Sequence, residues 1–198
     1  MANKFIPLLL AGCCLLLGAC SKPKPTDFFM LQADSRAYPM SGGEFDHNLR
    51  LGLGPVRAPD YLNRPQLLVE TAENRFELQE NHYWAERLEQ NITRTLAQFL
   101  SQRLGVDQLA LYPWPQRQEI DFQITLDILQ LHQGADGFSR FQALWRIQSR
   151  EKTLIAKHFD CKMPAAARAE EMVKAQSLCL TQLGAEIETA LRQLPPPS

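Results

Sequence analysis

The sequence predicts an α+β fold: a single domain, an α/β sandwich, in which two long helices pack on a mixed, mostly antiparallel sheet. Three observations lead to that class. Apolar and polar residues alternate through three consecutive segments between residues 120 and 163, which is strand period. Apolar residues recur every three to four positions over 84–104 and again over 173–194, which is helix period. The three strand segments are joined by short turns, which makes them an antiparallel meander. Composition agrees, since 45% of the 198 residues are hydrophobic and 22% are charged, as in ordinary globular proteins. With 21 basic against 22 acidic residues, the chain lacks the basic excess of a nucleic-acid binder, and none is expected as a partner.

The elements follow in order. Lys4 gives a positive start, and Phe5–Ala19 is apolar and uncharged. That stretch is shorter than the roughly 20 residues of a membrane-spanning helix and suits the apolar region of a secretory signal peptide. It ends in Leu17-Gly18-Ala19-Cys20, which resembles the lipobox of bacterial lipoproteins. The resemblance implies cleavage before Cys20 and a diacylated thiol. Two or more acyl chains anchor a protein stably without spanning the bilayer. Ser21, where an Asp would imply retention at the inner membrane, implies sorting to the periplasmic face of the outer membrane. The expected organisation is a leader at 1–19, a lipidated Cys and Pro/Lys linker at 20–26, one domain at 27–194 and a tail at 195–198.

Asp27–Ala33 reads as a first strand, 34–47 as a polar loop bending at Gly42-Gly43, and Leu49, Leu51 and Leu53 as a second strand. Three prolines within 54–66 exclude a helix or a long strand there. Gln66–Thr71 and Arg75–Gln79 form a hairpin around Ala72-Glu73-Asn74. Asn81 is the expected cap of the first helix, with Trp84 opening its apolar stripe through Leu88, Ile92, Leu96, Phe99, Leu100 and Leu104, and Gly105 ending it. Asp107–Tyr112 returns as a strand, stopped by Pro113-Trp114-Pro115. In the meander, the apolar phase of Ile120, Phe122, Ile124, Leu126 and Ile128 slips at Leu129, as a β-bulge would make it. Phe141, Ala143, Trp145 and Ile147 line the next strand, and Ile155, Phe159, Cys161 and Met163 the third. The last helix spans about 165–194. Its stripe from Val173 to Leu194 suits a coiled-coil seam and a helix laid on a sheet equally well, and in a single domain the sheet is the expected partner.

Catalytic constellations are missing. There is no nucleophile elbow around Ser139 and no phosphate-binding loop, and His47, His82, His132 and His158 are spaced as surface residues rather than metal ligands. Asp121 and Asp127 fit the solvent side of a strand. A non-catalytic protein without metal or cofactor is expected. Cys161 on the third meander strand and Cys179 on the last helix are placed for a disulfide in an oxidising compartment, or for two buried thiols.

The segments LGLGPVRAPDYLNRPQLLV and NHYWAERLEQNITRTLAQFLSQRL, with YPWP later, resemble the PqiC/YmbA family of ABC-type transport auxiliary lipoproteins. Gly54-Pro55-Val56, Pro59, Tyr61-Leu62, Arg64-Pro65-Gln66 and Trp84-Ala85-Glu86 carry the match. Asn63 and Arg87 depart from the common pattern. The resemblance implies a part in lipid transport between membranes beside an MCE-domain protein (PqiB-like) and an integral inner-membrane partner (PqiA-like), docking the periplasmic conduit at the outer membrane. The ring shape of such conduits suggests a homo-oligomeric ring here too. Pro55, Pro59 and Pro65 stiffen a loop whose Pro59, Tyr61, Leu62, Arg64, Pro65 and Gln66 are candidates for partner contact. The competing reading has Tyr61 and Leu62 plugging the core. Gly54, Pro55, Trp84, Ala85 and Glu86 are read as structural. A carrier lipoprotein with its own apolar pocket under the last helix is the alternative function.

Overall fold

A computed structural model describes residues 24–39, 45–46, 48–106, 109–115, 119–150, 152–166 and 168–195. The leader, Cys20, Gly42-Gly43, His47, Asp107 and the last three residues lie outside them. The elements are β1 (Asp27–Phe29), β2 (Leu51–Arg57), β3 (Gln66–Ala72), β4 (Arg75–Trp84), α1 (Leu88–Leu104), β5 (Ala110–Leu111), β6 (Phe122–Gln133), β7 (Phe138–Ser149), β8 (Lys152–Pro164) and α2 (Ala169–Arg192).

All eight strands join one sheet around β6. One edge of β6 pairs with β7 in antiparallel register from Gln123↔Gln148 to Gln133↔Ser139, and β8 follows on β7. Its other edge is shared. The first half pairs in parallel with β2, which carries β5, and the end touches β3, which carries β4 and then β1. Alternation buries one face. Phe122, Ile124, Leu126 and Ile128 of β6 are at most 3% exposed, and Phe141, Ala143, Trp145 and Ile147 of β7 are wholly buried. The register of β6 against β7 shifts between Ile128 and Gln130, which turns Leu129 outward and returns Leu131 to the core. This is the bulge at which the apolar phase slips.

Both helices cover that face. Ile92, Leu96 and Leu100 of α1 and Leu180, Leu183 and Ile187 of α2 are fully buried. Gly105 closes α1 in the left-handed conformation at φ 68°. The helices run parallel, since Phe99 meets Gly184 and, one turn on in both, Arg103 meets Glu188. Gly184 is required by the approach, because a Cβ there would lie 2.6 Å from the Phe99 ring. A disulfide links Cys161 of β8 to Cys179 of α2, with Cα atoms 5.7 Å apart, and so staples helix to sheet.

Four sequence expectations change. The first helix starts at Leu88 rather than near Asn81, because β4 continues to Trp84. The ladder wins there: Asp27, Phe28 and Phe29 pair with His82, Tyr83 and Trp84, and the Trp84 amide donates to the Pro65 carbonyl at 2.6 Å. Trp84 therefore ends a strand instead of opening a helical stripe. β2 runs through Pro55 to Arg57, a proline that the strand tolerates because the register shifts between Leu53 and Val56. The last helix is shorter than expected, Ala169–Arg192. Finally, β1 stops at Phe29, and the chain leaves the sheet.

Past Phe29 the chain lies as a strap in the groove between the helices. The Leu31 amide donates to Asn91 Oδ1 at 2.7 Å, and Asn91 and Thr95 return hydrogen bonds to the Leu31 carbonyl. Amides of Gln32 and Asp34 donate to Ser177 and Thr181 hydroxyls of α2. Beyond them Arg103, only 2% exposed, donates to the carbonyls of Ser35, Tyr38 and Pro39 and pairs with the fully buried Glu188 at 2.6 Å. Arg192 holds the second Glu188 oxygen at 3.0 Å.

The helix seam yields a prediction. Gly184→Leu should lower the unfolding free energy by about 1–3 kcal/mol through overpacking against Phe99. Urea denaturation checks it, and Phe99→Ala in the same chain should restore part of the loss.

Candidate docking groove

The motif glycines make room on β2. Gly54 has φ 116°, a conformation that side chains disfavour, and a Cβ there would stand 2.7 Å from the Tyr112 Cβ. A Cβ on Gly52 would stand 3.0 Å from the Trp114 ring. Bare backbone at both positions lets Tyr112 and Trp114, edge to face at 5.5 Å, settle on the strand. After β2, Asp60–Leu62 forms a single 3-10 turn behind Pro59, whose carbonyl accepts the Leu62 amide at 2.9 Å.

Two adjoining cavities, about 480 and 510 Å³, lie along the first half of α1 and share Glu86. Leu62, Asn63, Arg64, Pro65, Trp84, Arg87 and Leu88 line the first. Gly54, Pro55, Glu89, Arg94, Leu111 and Tyr112, among others, line the second. Together they form one groove, apolar at its floor and charged at its rim. Glu86 pairs with Arg94, and Arg87 with Glu89 at 3.0 Å. Arg64 is exposed and, among the described residues, has neither ion pair nor hydrogen bond. Its charge is free for a visitor.

The motif residues separate here. Gly54, Pro55, Leu62, Arg64, Pro65, Trp84 and Glu86, distant in sequence, converge on the groove. Leu62 is 5% exposed and plugs the core from the groove floor, while Trp84, 9% exposed, packs beside it. Ala85 closes the β1 ladder by donating its amide to the Phe29 carbonyl at 2.9 Å. Gln66 starts β3 opposite Tyr83. Tyr61 goes elsewhere: it is 39% exposed, donates its hydroxyl to the Leu129 carbonyl at 3.1 Å and contacts Phe76. The competing readings of Tyr61 and Leu62 thus divide, one residue to the surface and one to the core. Sequence reasoning missed Leu111, Tyr112, Arg87 and Arg94 as groove residues. The Tyr112-Pro113-Trp114-Pro115 run was a signal for one of the walls, Tyr112, since aromatics between prolines end a strand and cannot enter a helix.

His132 departs from its expected place on the surface. It is 4% exposed, edge-on to Phe76 at 5.0 Å, with Nε2 3.7 Å from Glu70 and Nδ1 unpaired. Burial holds its basicity below that of an ordinary histidine. Asp121 is held ionised by Arg50 and Asp127 pairs with Arg146 at 2.7 Å, which occupies both strand carboxylates. Among the described residues no three His, Cys, Asp or Glu side chains are grouped to hold a metal ion, and no helix is long and apolar enough to cross a membrane.

A family model described as the ABC-type transport auxiliary lipoprotein component matches residues 31–188. Among curated proteins none matches the chain. Among solved structures, a protein described only as uncharacterized superposes with a TM-score of 0.68 at 19% identity, covering 85% of this chain and 99% of its own. A Xanthomonas campestris protein superposes with a TM-score of 0.66 at 10% identity, covering 84% and 95%. At these identities the likeness is one of fold.

The Gly54 geometry is testable. Gly54→Val should cost about 1–3 kcal/mol of stability from backbone strain alone. Urea denaturation of the parent and the variant measures the loss.

Proposed function

Because the chain belongs to the family of ABC-type transport auxiliary lipoprotein components, we propose that it is the outer-membrane lipoprotein of an MCE-type intermembrane lipid transport system. In this reading Cys20 carries the acyl chains, the domain stands in the periplasm, and the groove docks the conduit formed by a PqiB-like MCE-domain protein, with a PqiA-like integral partner at the inner membrane. Copies of the domain arranged in a ring would meet a ring-shaped conduit. The need is physical. A lipid with about 30 methylenes faces roughly 24 kcal/mol on passing bare through water, at about 0.8 kcal/mol per methylene. An apolar path docked at both membranes removes most of that cost.

The observation that carries the reading is the convergence of the motif residues on one exposed groove with an uncommitted Arg64 at its rim. Protein-contact sites combine aromatic and Arg anchors with an apolar centre, and Tyr112, Trp84, Arg64 and Leu62 supply that combination. The carrier alternative loses its expected pocket. The space under α2 is filled, with Leu180, Leu183 and Ile187 packed on Phe141, Ala143, Trp145 and Ile147, all of them fully buried. A lipid would have no room there. The cavities instead open at the surface along α1.

Arg64→Glu should weaken association with the MCE-domain partner by about 2 kcal/mol, roughly thirtyfold, at unchanged stability. Co-purification of the two proteins from detergent-solubilised membranes measures it. Equal recovery of the partner with the parent and the Arg64→Glu protein would count against the groove as the docking site.

A further inference from the structure

We propose that the β1 edge of the domain, led by Phe28 and Met30, seats directly on the surface of the bilayer that holds the anchor. The inference rests on the reading of Cys20 as lipidated and adds which face the body turns to the membrane.

Phe28 is 67% exposed, the most exposed large apolar side chain among the described residues, and Met30 is 45% exposed. Strand alternation explains how Phe28 comes to face outward, because Phe29 packs on the core and Phe28 shares the other face with Tyr83, 6.0 Å away. It gives no reason for a phenylalanine there. Two bulky apolar side chains, one in the middle of a three-residue edge strand and one just past its end, contribute nothing to the core, and water is a poor environment for them.

The tether supplies the reason. Phe28 lies eight residues beyond Cys20, a span of at most about 29 Å when fully extended and about 25 Å with the polyproline-like stiffness that Pro23 and Pro25 favour. The strand is the first element of the body that the anchored chain reaches. It therefore stays within that length of the bilayer surface. It cannot swing away either: Phe28 is registered on Tyr83, and Leu31, three residues on, is bonded to Asn91. Charge fits the same surface. Lys22 and Lys24 lie in the tether, against one acid between them and Met30, Asp27. Cations beside exposed apolar groups suit a headgroup layer that contains anionic lipid.

The test uses the full lipidated protein in phosphatidylethanolamine–phosphatidylglycerol vesicles whose acyl chains carry bromine, a contact quencher of tryptophan. Phe28→Trp and Leu154→Trp are compared with the parent. Leu154 is also exposed, on β8 at the far edge of the sheet. The tryptophan at 28 should be quenched several-fold more strongly than the one at 154. Equal quenching of the two overturns the proposal. So does a tryptophan at 28 that is shielded from aqueous iodide yet untouched by bromine, since a protein then covers the edge. Flotation of the vesicles separates the two levels: protein that floats without quenching defeats the membrane seat alone, whereas protein that neither floats nor carries acyl mass defeats the anchor as well.

Discussion

The strap between the two helices is the constraint on which the rest of the structure depends. Residues 31–39 bring a row of backbone amides and carbonyls into a helix seam that would otherwise be apolar. Each buried group left unpaired there would cost about 1–3 kcal/mol. The helices answer with Asn91, Thr95, Ser177 and Thr181, and at the far end with Arg103. The guanidinium is in turn neutralised by Glu188, which Arg192 also holds. Removing one member of such a buried set strands charge, at a typical cost of about 3–5 kcal/mol. The strap, both helices and the ion pair therefore stand or fall together.

That arrangement fixes the start of the domain to the rest of it. The strap continues from β1, and β1 is paired with the end of β4 at Trp84. Trp84 is also a wall of the groove, with Glu86 and Leu88 just beyond it. The chain that leaves the tether is thus rigidly connected, through one ladder and one seam, to the surface proposed to meet the transport conduit. The proposed docking role needs this rigidity, because a partner meets only what is held at a fixed place and angle. The glycines of β2 serve the same end from the other side, since they let Tyr112 and Trp114 close on the strand, and Tyr112 there lines the second half of the groove.

The parts of this fold that repeat a period were legible in the sequence. The meander of β6, β7 and β8 showed its alternation, its bulge at Leu129 and its buried aromatics. The seams of both helices showed their apolar stripes, and Gly105 its role as a stop. What could not be read depends on partners far away in the chain. The helical pattern of residues 81–104 conceals that His82–Trp84 are claimed by β1. Asn91 and Thr95 look like ordinary polar positions until Leu31 is laid on them from 60 or more residues away. Arg103 and Glu188 are fully buried charges, which no periodicity announces. The groove was half visible: the residues of one motif were recognisable, but their convergence with Tyr112 and Arg94 comes from the sheet order. The division of Tyr61 from its neighbour Leu62 follows from one 3-10 turn.

Hydrogen exchange at individual backbone amides tests the fastened strap most directly. If the account is right, the amides of Leu31, Gln32 and Asp34 exchange slowly in the folded protein, as slowly as those of the helix seam, while Lys24 and Thr26 just before β1 exchange like free peptide. Rates at Leu31 and Asp34 that match those of Lys24 and Thr26 would mean that the segment after β1 is loose, and the helix seam would then not depend on it.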